Sequence, residues 1–168
     1  MKKLFVSLGI ALVSAAFAAT AFAQASATAN ACCTIVTPIG ISKTTDMNFG
    51  NVATDGTAGT VVLDPASTRT STGGVTLPVN AGTVTAASFT VTGSEAYTYS
   101  ITLPGSVTIT YGANTMTVNT FTSSPATTGT LTAGTQTLNV GATLNIGSSQ
   151  AAGAYASTTP FTVTVNYN

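Results

Sequence analysis

The stretch Gly153-Ala-Tyr-Ala-Ser-Thr-Thr-Pro-Phe-Thr-Val-Thr-Val-Asn-Tyr-Asn168 decides the fold of this chain. In its second half, large apolar residues alternate with Thr and Asn, which places every apolar side chain on one face of an extended strand. The apolar residues are Phe161, Val163, Val165 and Tyr167. Residues 161–168 contain no Lys, Pro or Gly, the residues that usually protect an open sheet edge from pairing. We therefore predict a half-buried edge strand over residues 161–167, with either an earlier strand or another chain beside it.

The rest of the chain consists of short alternating runs that end at Gly, Pro, Asp or Ser. Apolar residues at helical spacing never continue beyond a turn, and the β-branched residue Thr is abundant. The sequence therefore predicts an all-β domain, an antiparallel sandwich or barrel. Gly73-Gly74 and Gly141 are interpreted as bulge or turn glycines, because no phosphate-loop spacing surrounds them. The runs are 60–63, 75–77, 88–92, 97–103, 107–111, 116–121 and 138–146.

Residues 1–23 have the pattern of a secretory signal peptide. Lys2 and Lys3 precede an apolar stretch over residues 4–17, and Ala21-Phe22-Ala23 is a small-x-small cleavage site. A transmembrane helix is the alternative, but Ser7, Gly9 and Ser14 interrupt the short apolar stretch. We expect export, cleavage after Ala23, no membrane span after cleavage, and a single domain over residues 36–168.

The segment directly after the cleavage site also alternates, over residues 24–35. Its odd positions hold Ala or larger apolar residues, and its even positions hold mostly Ser, Thr and Asn. A frayed tail of small residues is the alternative, since Ala is a poor strand former. As a strand, the segment would present one apolar face made of Ala25, Ala27, Ala29, Ala31, Cys33 and Ile35.

The composition excludes several function classes. Charged residues make up 5% of the chain, against about 25% in a typical soluble domain. After residue 23 only Lys43 and Arg69 are cationic, so there is no basic patch and nucleic acid is not expected as a partner. The absence of His removes the commonest general base, the usual triads and most zinc sites. Asp64 and Glu95 are the candidates for a glycosidase-like carboxylate pair, but their sequence contexts favour solvated turns. We expect no enzyme activity and no cofactor.

The two cysteines, Cys32 and Cys33, are adjacent. Neighbouring Cα atoms are about 3.8 Å apart, whereas ordinary disulfides need about 4.4 Å or more. Three states stay open: a strained vicinal disulfide, free thiols, or bridges to another chain. On a strand the two side chains point to opposite faces, so an intermolecular disulfide is sterically reasonable.

Several of these features together resemble bacterial fimbrial subunits. They are the signal peptide, the alternating segment after it, Met47-Asn-Phe-Gly50, Phe89-Thr-Val-Thr-Gly93 and the closing stretch from Gly153 to Tyr167. The resemblance is to archaic chaperone-usher pilins of the spore-coat-protein-U-like type, and to a related uncharacterised family of exported bacterial domains. It implies an immunoglobulin-like sandwich that lacks one strand and is completed by the N-terminal extension of the next subunit. It also implies a periplasmic chaperone and an outer-membrane usher as partners. Cys32 and Cys33 cannot form the internal disulfide that members of that family commonly have.

Three functions of different classes follow from these observations. The first is a structural subunit of an extracellular cell-surface filament. The filament is a homopolymer, and its subunits are exported through the periplasm. In it, residues 24–35 act as the donor strand, and Phe161, Val163, Val165 and Tyr167 form the acceptor edge strand. The second is a monomeric secreted binding module or adhesin for carbohydrate or surfaces, which would need exposed aromatic side chains for stacking. The third, an enzyme, has the least support.

Overall fold

The structure, a computed structural model, describes residues 24–168. These residues form eleven β-strands and no helix, which confirms the predicted all-β class. The predicted signal peptide, residues 1–23, lies outside the described residues. The strands are β1 (Gly40–Thr45), β2 (Ala53–Leu63), β3 (Arg69–Thr76), β4 (Ala87–Thr92), β5 (Thr98–Thr102), β6 (Ser106–Tyr111), β7 (Asn114–Ser124), β8 (Thr128–Thr130), β9 (Thr135–Ile146), β10 (Ala156–Ser157) and β11 (Thr164–Tyr167).

The chain divides into two units between Thr34 and Ile35. In the first, residues 24–34 adopt neither helix nor strand, and all of them are exposed to solvent. The second, Ile35–Asn168, contains every strand. We expect residues 24–35 to pair as a strand only with a neighbouring subunit. The donor strand therefore stays a prediction.

Strand β9 is the centre of an eight-stranded antiparallel sheet. One edge of β9 pairs with β7, while the other pairs with β4 over residues 135–140 and with β2 over residues 142–146. Gly141 lies at this change of partner, and a Cβ there would be 2.2 Å from the carbonyl oxygen of Leu63. Glycine is therefore required for the close approach of β2. Beyond these strands, β1 extends the sheet from β4, β3 from β2, and β6 and β10 from β7.

The second sheet has three strands in the order β11-β5-β8. Strand β11 pairs with β5 from Thr164 opposite Thr102 to Tyr167 opposite Tyr99. Its other edge pairs with no strand in residues 24–168. An earlier strand thus lies beside one edge of β11, and the other edge is open.

The apolar residues form two core clusters. The first joins the two sheets, because it combines residues of β4 and β9 with Tyr99, Val163 and Val165 from β5 and the closing segment. The buried residues of the second cluster all belong to the larger sheet: Val61, Val75, Val118, Ala142, Leu144 and Ile146. No strand of the smaller sheet contributes a buried residue to this second cluster. The apolar face of the larger sheet at this cluster is therefore covered only by segments outside the three-stranded sheet.

The prediction that the closing strand begins at Phe161 is wrong, since β11 begins at Thr164. Strand β5 ends at Thr102 and is followed by Leu103 and Pro104, whose ring nitrogen cannot donate to a ladder. Residues 161–163 therefore have no strand to pair with. The predicted facing of the side chains is confirmed, because Val163 and Val165 are buried while Thr162, Thr164 and Asn166 are exposed.

Candidate functional site

An open apolar groove of about 1140 Å³ lies over the second core cluster. Two segments that are largely outside the strands, residues 43–54 and residues 150–157, line its sides. Its floor is made of side chains from four strands of the larger sheet. These floor residues are Ala87, Phe89, Val107, Ile109, Met116, Val118, Leu144 and Ile146.

The first wall, residues 43–54, is held from its outer side. Asn48 exchanges two backbone hydrogen bonds with Thr85, at 2.8 and 3.0 Å, and Asn51 donates its N–H to the carbonyl of Ala81 at 2.6 Å. The Arg69 guanidinium donates to the carbonyl of Asn51 at 2.9 Å and also to that of Phe49. These contacts fix the position of the wall.

The second wall, residues 150–157, is organised around Tyr155. The Tyr155 hydroxyl donates to the carbonyl of Ala151 at 2.8 Å and accepts from the Gln150 amide at 2.8 Å. Its ring packs against Tyr111 with centroids 5.7 Å apart. The wall is therefore shaped by side-chain contacts, and only Ala156 and Ser157 pair with a strand.

Both walls carry backbone groups that have no backbone partner within residues 24–168. Met47 on the first wall forms no such hydrogen bond, and neither do residues 152–154 on the second. Free N–H and C=O groups beside an apolar floor can pair with an extended polypeptide, because a strand supplies donors and acceptors along its whole length.

The groove is nearly neutral. Its charged side chains are Lys43 and Asp46, whose Nζ and Oδ1 atoms lie 2.7 Å apart. Both are more than half exposed, so the pair contributes little to stability. The neutral lining favours an uncharged occupant.

The predicted acceptor residues do not all have the same position. Phe161 lines the groove and packs against Phe121 with ring centroids 5.2 Å apart. Val163 and Val165, each 7% exposed, are buried in the first core cluster. Tyr167 is partly buried and packs against the same cluster. Only Phe161 among the four therefore contacts the groove.

The predicted donor residues, Ala25, Ala27, Ala29, Ala31 and Cys33, are exposed, and Ile35 is 95% exposed. Ile35 shares this exposure with other large apolar residues of the domain, such as Val79, so its exposure alone does not identify a donor strand. Cys32 and Cys33 are exposed thiols with no bridge between them. The vicinal disulfide is thus absent from this structure, whereas a bridge to another chain stays a prediction.

The carboxylates have the turn positions that their sequence contexts favour. Asp64 accepts hydrogen bonds from the N–H groups of Ala66 and Thr68, at 2.9 and 2.8 Å. Glu95 lies in the short turn between β4 and β5. In the part of the chain described, no three His, Cys, Asp or Glu residues cluster in a way that could hold a metal ion.

Sequence reasoning predicts a groove left by a missing strand, but it missed the residues that line and shape the groove observed here. Residues 46–54 lack a clean period of two, and the walls owe their form to contacts with distant residues such as Arg69 and Tyr111. One signal was available: Arg69 is the only Arg after residue 23, in a chain where charges are rare.

Residues 39–167 match a family model described as a domain of unknown function, DUF4402. The chain belongs to this family. The match includes both walls and the floor of the groove, whereas residues 24–35 lie outside it. No curated protein and no solved structure matches the chain. Within residues 24–168 there is no helix with the length and apolarity that membrane crossing requires.

Proposed function

We propose that this protein is the structural subunit of an extracellular fimbria-like filament. In this proposal the domain is an immunoglobulin-like sandwich that lacks one strand, and residues 24–35 of one subunit complete the next. Export, passage through the periplasm and the involvement of a chaperone and an usher belong to the same proposal. So do the homopolymeric state and the absence of enzyme activity.

The observation that carries the proposal is the open groove itself, an apolar floor between two walls that have free backbone groups. Its volume of about 1140 Å³ exceeds the range of about 300–1,000 Å³ that is common for small-molecule sites. A neutral groove with unused main-chain donors and acceptors suits strand addition, in which the ladder gives affinity and alternate side chains give specificity.

The segment after the predicted cleavage site has matching chemistry. Residues 24–35 carry no charge, and their odd positions are all apolar. Each 100 Å² of apolar area that the segment buries contributes about 2.5 kcal/mol before association costs are subtracted. Because Ala side chains are small, Ile35, Cys33 and the main-chain ladder supply most of the binding energy.

A matched pair of substitutions tests the facing of the donor strand. Ala29→Asp places a carboxylate in the groove, where desolvation costs several kcal/mol, and we expect it to abolish polymerisation. Thr28→Asp places the same charge on the solvent face and should polymerise like the wild type. Electron microscopy and size-exclusion chromatography of the purified chain give the readout. Filaments that survive Ala29→Asp, or deletion of residues 24–34, would exclude the donor strand.

A monomeric binding module is the second candidate, and one observation favours it. Tyr111, which is 46% exposed, forms an aromatic pair with Tyr155 of the second wall, and such rings can stack on sugars. Binding of the monomer to neutral polysaccharide, lost in Tyr111→Ala without any filament in the wild type, would support this function instead.

A further inference from the structure

Three residues that are far apart in the sequence are joined by hydrogen bonds into a cluster that we call the Thr37 clamp: Thr37, Ser94 and Tyr167. The Thr37 N–H donates to Ser94 Oγ at 2.8 Å, and the Thr37 carbonyl accepts from the Tyr167 hydroxyl at 2.7 Å. The same hydroxyl accepts from the Ser94 N–H at 2.7 Å. Both backbone groups of Thr37 are thus satisfied by side chains from distant parts of the chain.

The surroundings of the clamp fix the position of the Tyr167 hydroxyl. A Cβ at Gly93 would lie 2.2 Å from this oxygen, so glycine leaves the space that the hydroxyl occupies. The Gly93 N–H is itself bound to the carbonyl of Gly134 at 2.9 Å. On the other side, the Tyr97 ring packs on Tyr167 with centroids 5.4 Å apart. The segments before β1 and after β4 therefore meet the end of β11 at one oxygen atom, and the segment before β5 packs on the ring of the same side chain.

The clamp ties together the ends of the two strands that border the gap between the sheets. Thr37 precedes β1 by three residues, and Tyr167 is the last residue of β11. Strand β1 pairs only with β4, and β11 only with β5, so each leaves one edge free. Cα atoms of β1 and β11 approach each other to within 8 Å.

A strand cannot pair with both edges where they are so close. Each ladder needs a spacing of about 4.8 Å, so an inserted strand needs about 9.6 Å between its two neighbours. The lining of the groove agrees with this limit, since it includes residues 43–54 and Phe161 but none of residues 37–42 or 163–167. The gap is closed at the clamp and open at the far end of β1.

We propose that the Thr37 clamp is the end stop for the inserted strand and so sets its register. This inference rests on the proposed filament function. The strand pairs beside residues 43–54 and 150–161 and stops before the closing residues 163–167, a shorter contact than the pairing along residues 161–167 that the sequence predicts. Tyr167 is then a positioning residue, which acts by keeping the β1 and β11 ends together.

Hydrogen exchange on full-length monomer and polymer tests the stop. In wild-type polymer, the amides of Met47 and of residues 152–154 should exchange about tenfold more slowly than in monomer, the factor that corresponds to about 1.4 kcal/mol for one net hydrogen bond. Amides of residues 163–167 should be unchanged. In Tyr167→Phe polymer, which lacks the clamp hydroxyl, the slow exchange should extend into residues 163–167.

Tyr97→Phe is the matched control, because it removes a hydroxyl from the same aromatic pair that has no hydrogen-bond partner in residues 24–168. It should behave as the wild type. Ser94→Ala removes the other side-chain oxygen of the clamp and should shift the boundary in the same direction as Tyr167→Phe, which provides a second variant if the latter fails to fold.

Different results would refute the end stop and the filament function. Wild-type polymer with slowed exchange throughout residues 163–167 would overturn the end stop while leaving the filament in place. An unchanged boundary in both Tyr167→Phe and Ser94→Ala polymers would do the same. A wild-type chain that forms no polymer would overturn the filament function, and the end stop with it.

Discussion

The substitution Tyr99→Phe removes one hydroxyl from the first core cluster. Tyr99 is fully buried, and its hydroxyl donates to Gln136 Oε1 at 2.8 Å. The same oxygen accepts the Thr130 N–H at 2.9 Å, so it stays paired in the variant. We therefore expect the loss of one net hydrogen bond, about 1 kcal/mol in the free energy of unfolding. For a domain of this size that corresponds to a decrease in Tm of about 2–4 °C.

The difference in stability between the wild type and Tyr99→Phe should also depend on pH. Burial raises the pKa of Tyr99 above its ordinary value of about 10. The unfolded chain then loses this proton at a lower pH than the folded chain does. The stabilisation from the protonated hydroxyl is complete below the ordinary pKa and is lost as pH rises through the folded pKa. Since Phe has no such proton, the stability difference between the two proteins should shrink as the pH rises above about 10.

Urea unfolding followed by circular dichroism, at neutral and alkaline pH and with the thiols kept reduced, measures both parts. Tyr97→Phe serves as the control, because the Tyr97 hydroxyl makes no hydrogen bond within residues 24–168, and its midpoint should match the wild type at neutral pH. Equal midpoints for Tyr99→Phe and wild type at neutral pH, or a difference that does not change with pH, would refute the reasoning.

Two further outcomes are expected. If Cys32 or Cys33 links subunits, non-reducing gels of assembled protein should show a ladder that collapses with reductant, and a single monomer band with two free thiols would exclude such bridges. Gly141→Ala should lower the free energy of unfolding by roughly 1–3 kcal/mol, because its Cβ would be 2.2 Å from a backbone oxygen of β2. Thermal melts that agree with the wild type would contradict this close approach.

The periodicity of the sequence predicts the strand interiors well. Phe89 and Val91 on β4, and Leu138, Val140 and Leu144 on β9, alternate with polar residues and are all buried. Local alternation has this power because each inward position of a strand meets the same apolar layer. The facing of Val163 and Val165 follows from the same rule.

The pairing of the strands could not be predicted in this way. Strand β2 begins at Ala53, well before the apolar run at residues 60–63, because its first residues pair with β3 without being buried. The groove walls and the Thr37 clamp depend on contacts between distant residues, such as the 130 positions that separate Thr37 from Tyr167. A period of two says which side of a strand faces inward, but it contains no information about the neighbouring strand.

The central place of β9 determines when this chain can fold. Strands β2, β4 and β7 all precede β9 in the chain, and each of them pairs with it. The centre of the larger sheet therefore cannot form until Ile146 has been synthesised. Synthesis to that point takes on the order of ten seconds at about 5–20 residues per second. Until then the earlier strands of this sheet can form only the separate β1–β4, β2–β3 and β6–β7 ladders, and contacts between distant strands form slowly. For a chain exported as proposed here, this delay favours a polypeptide that is still unfolded when it reaches the membrane.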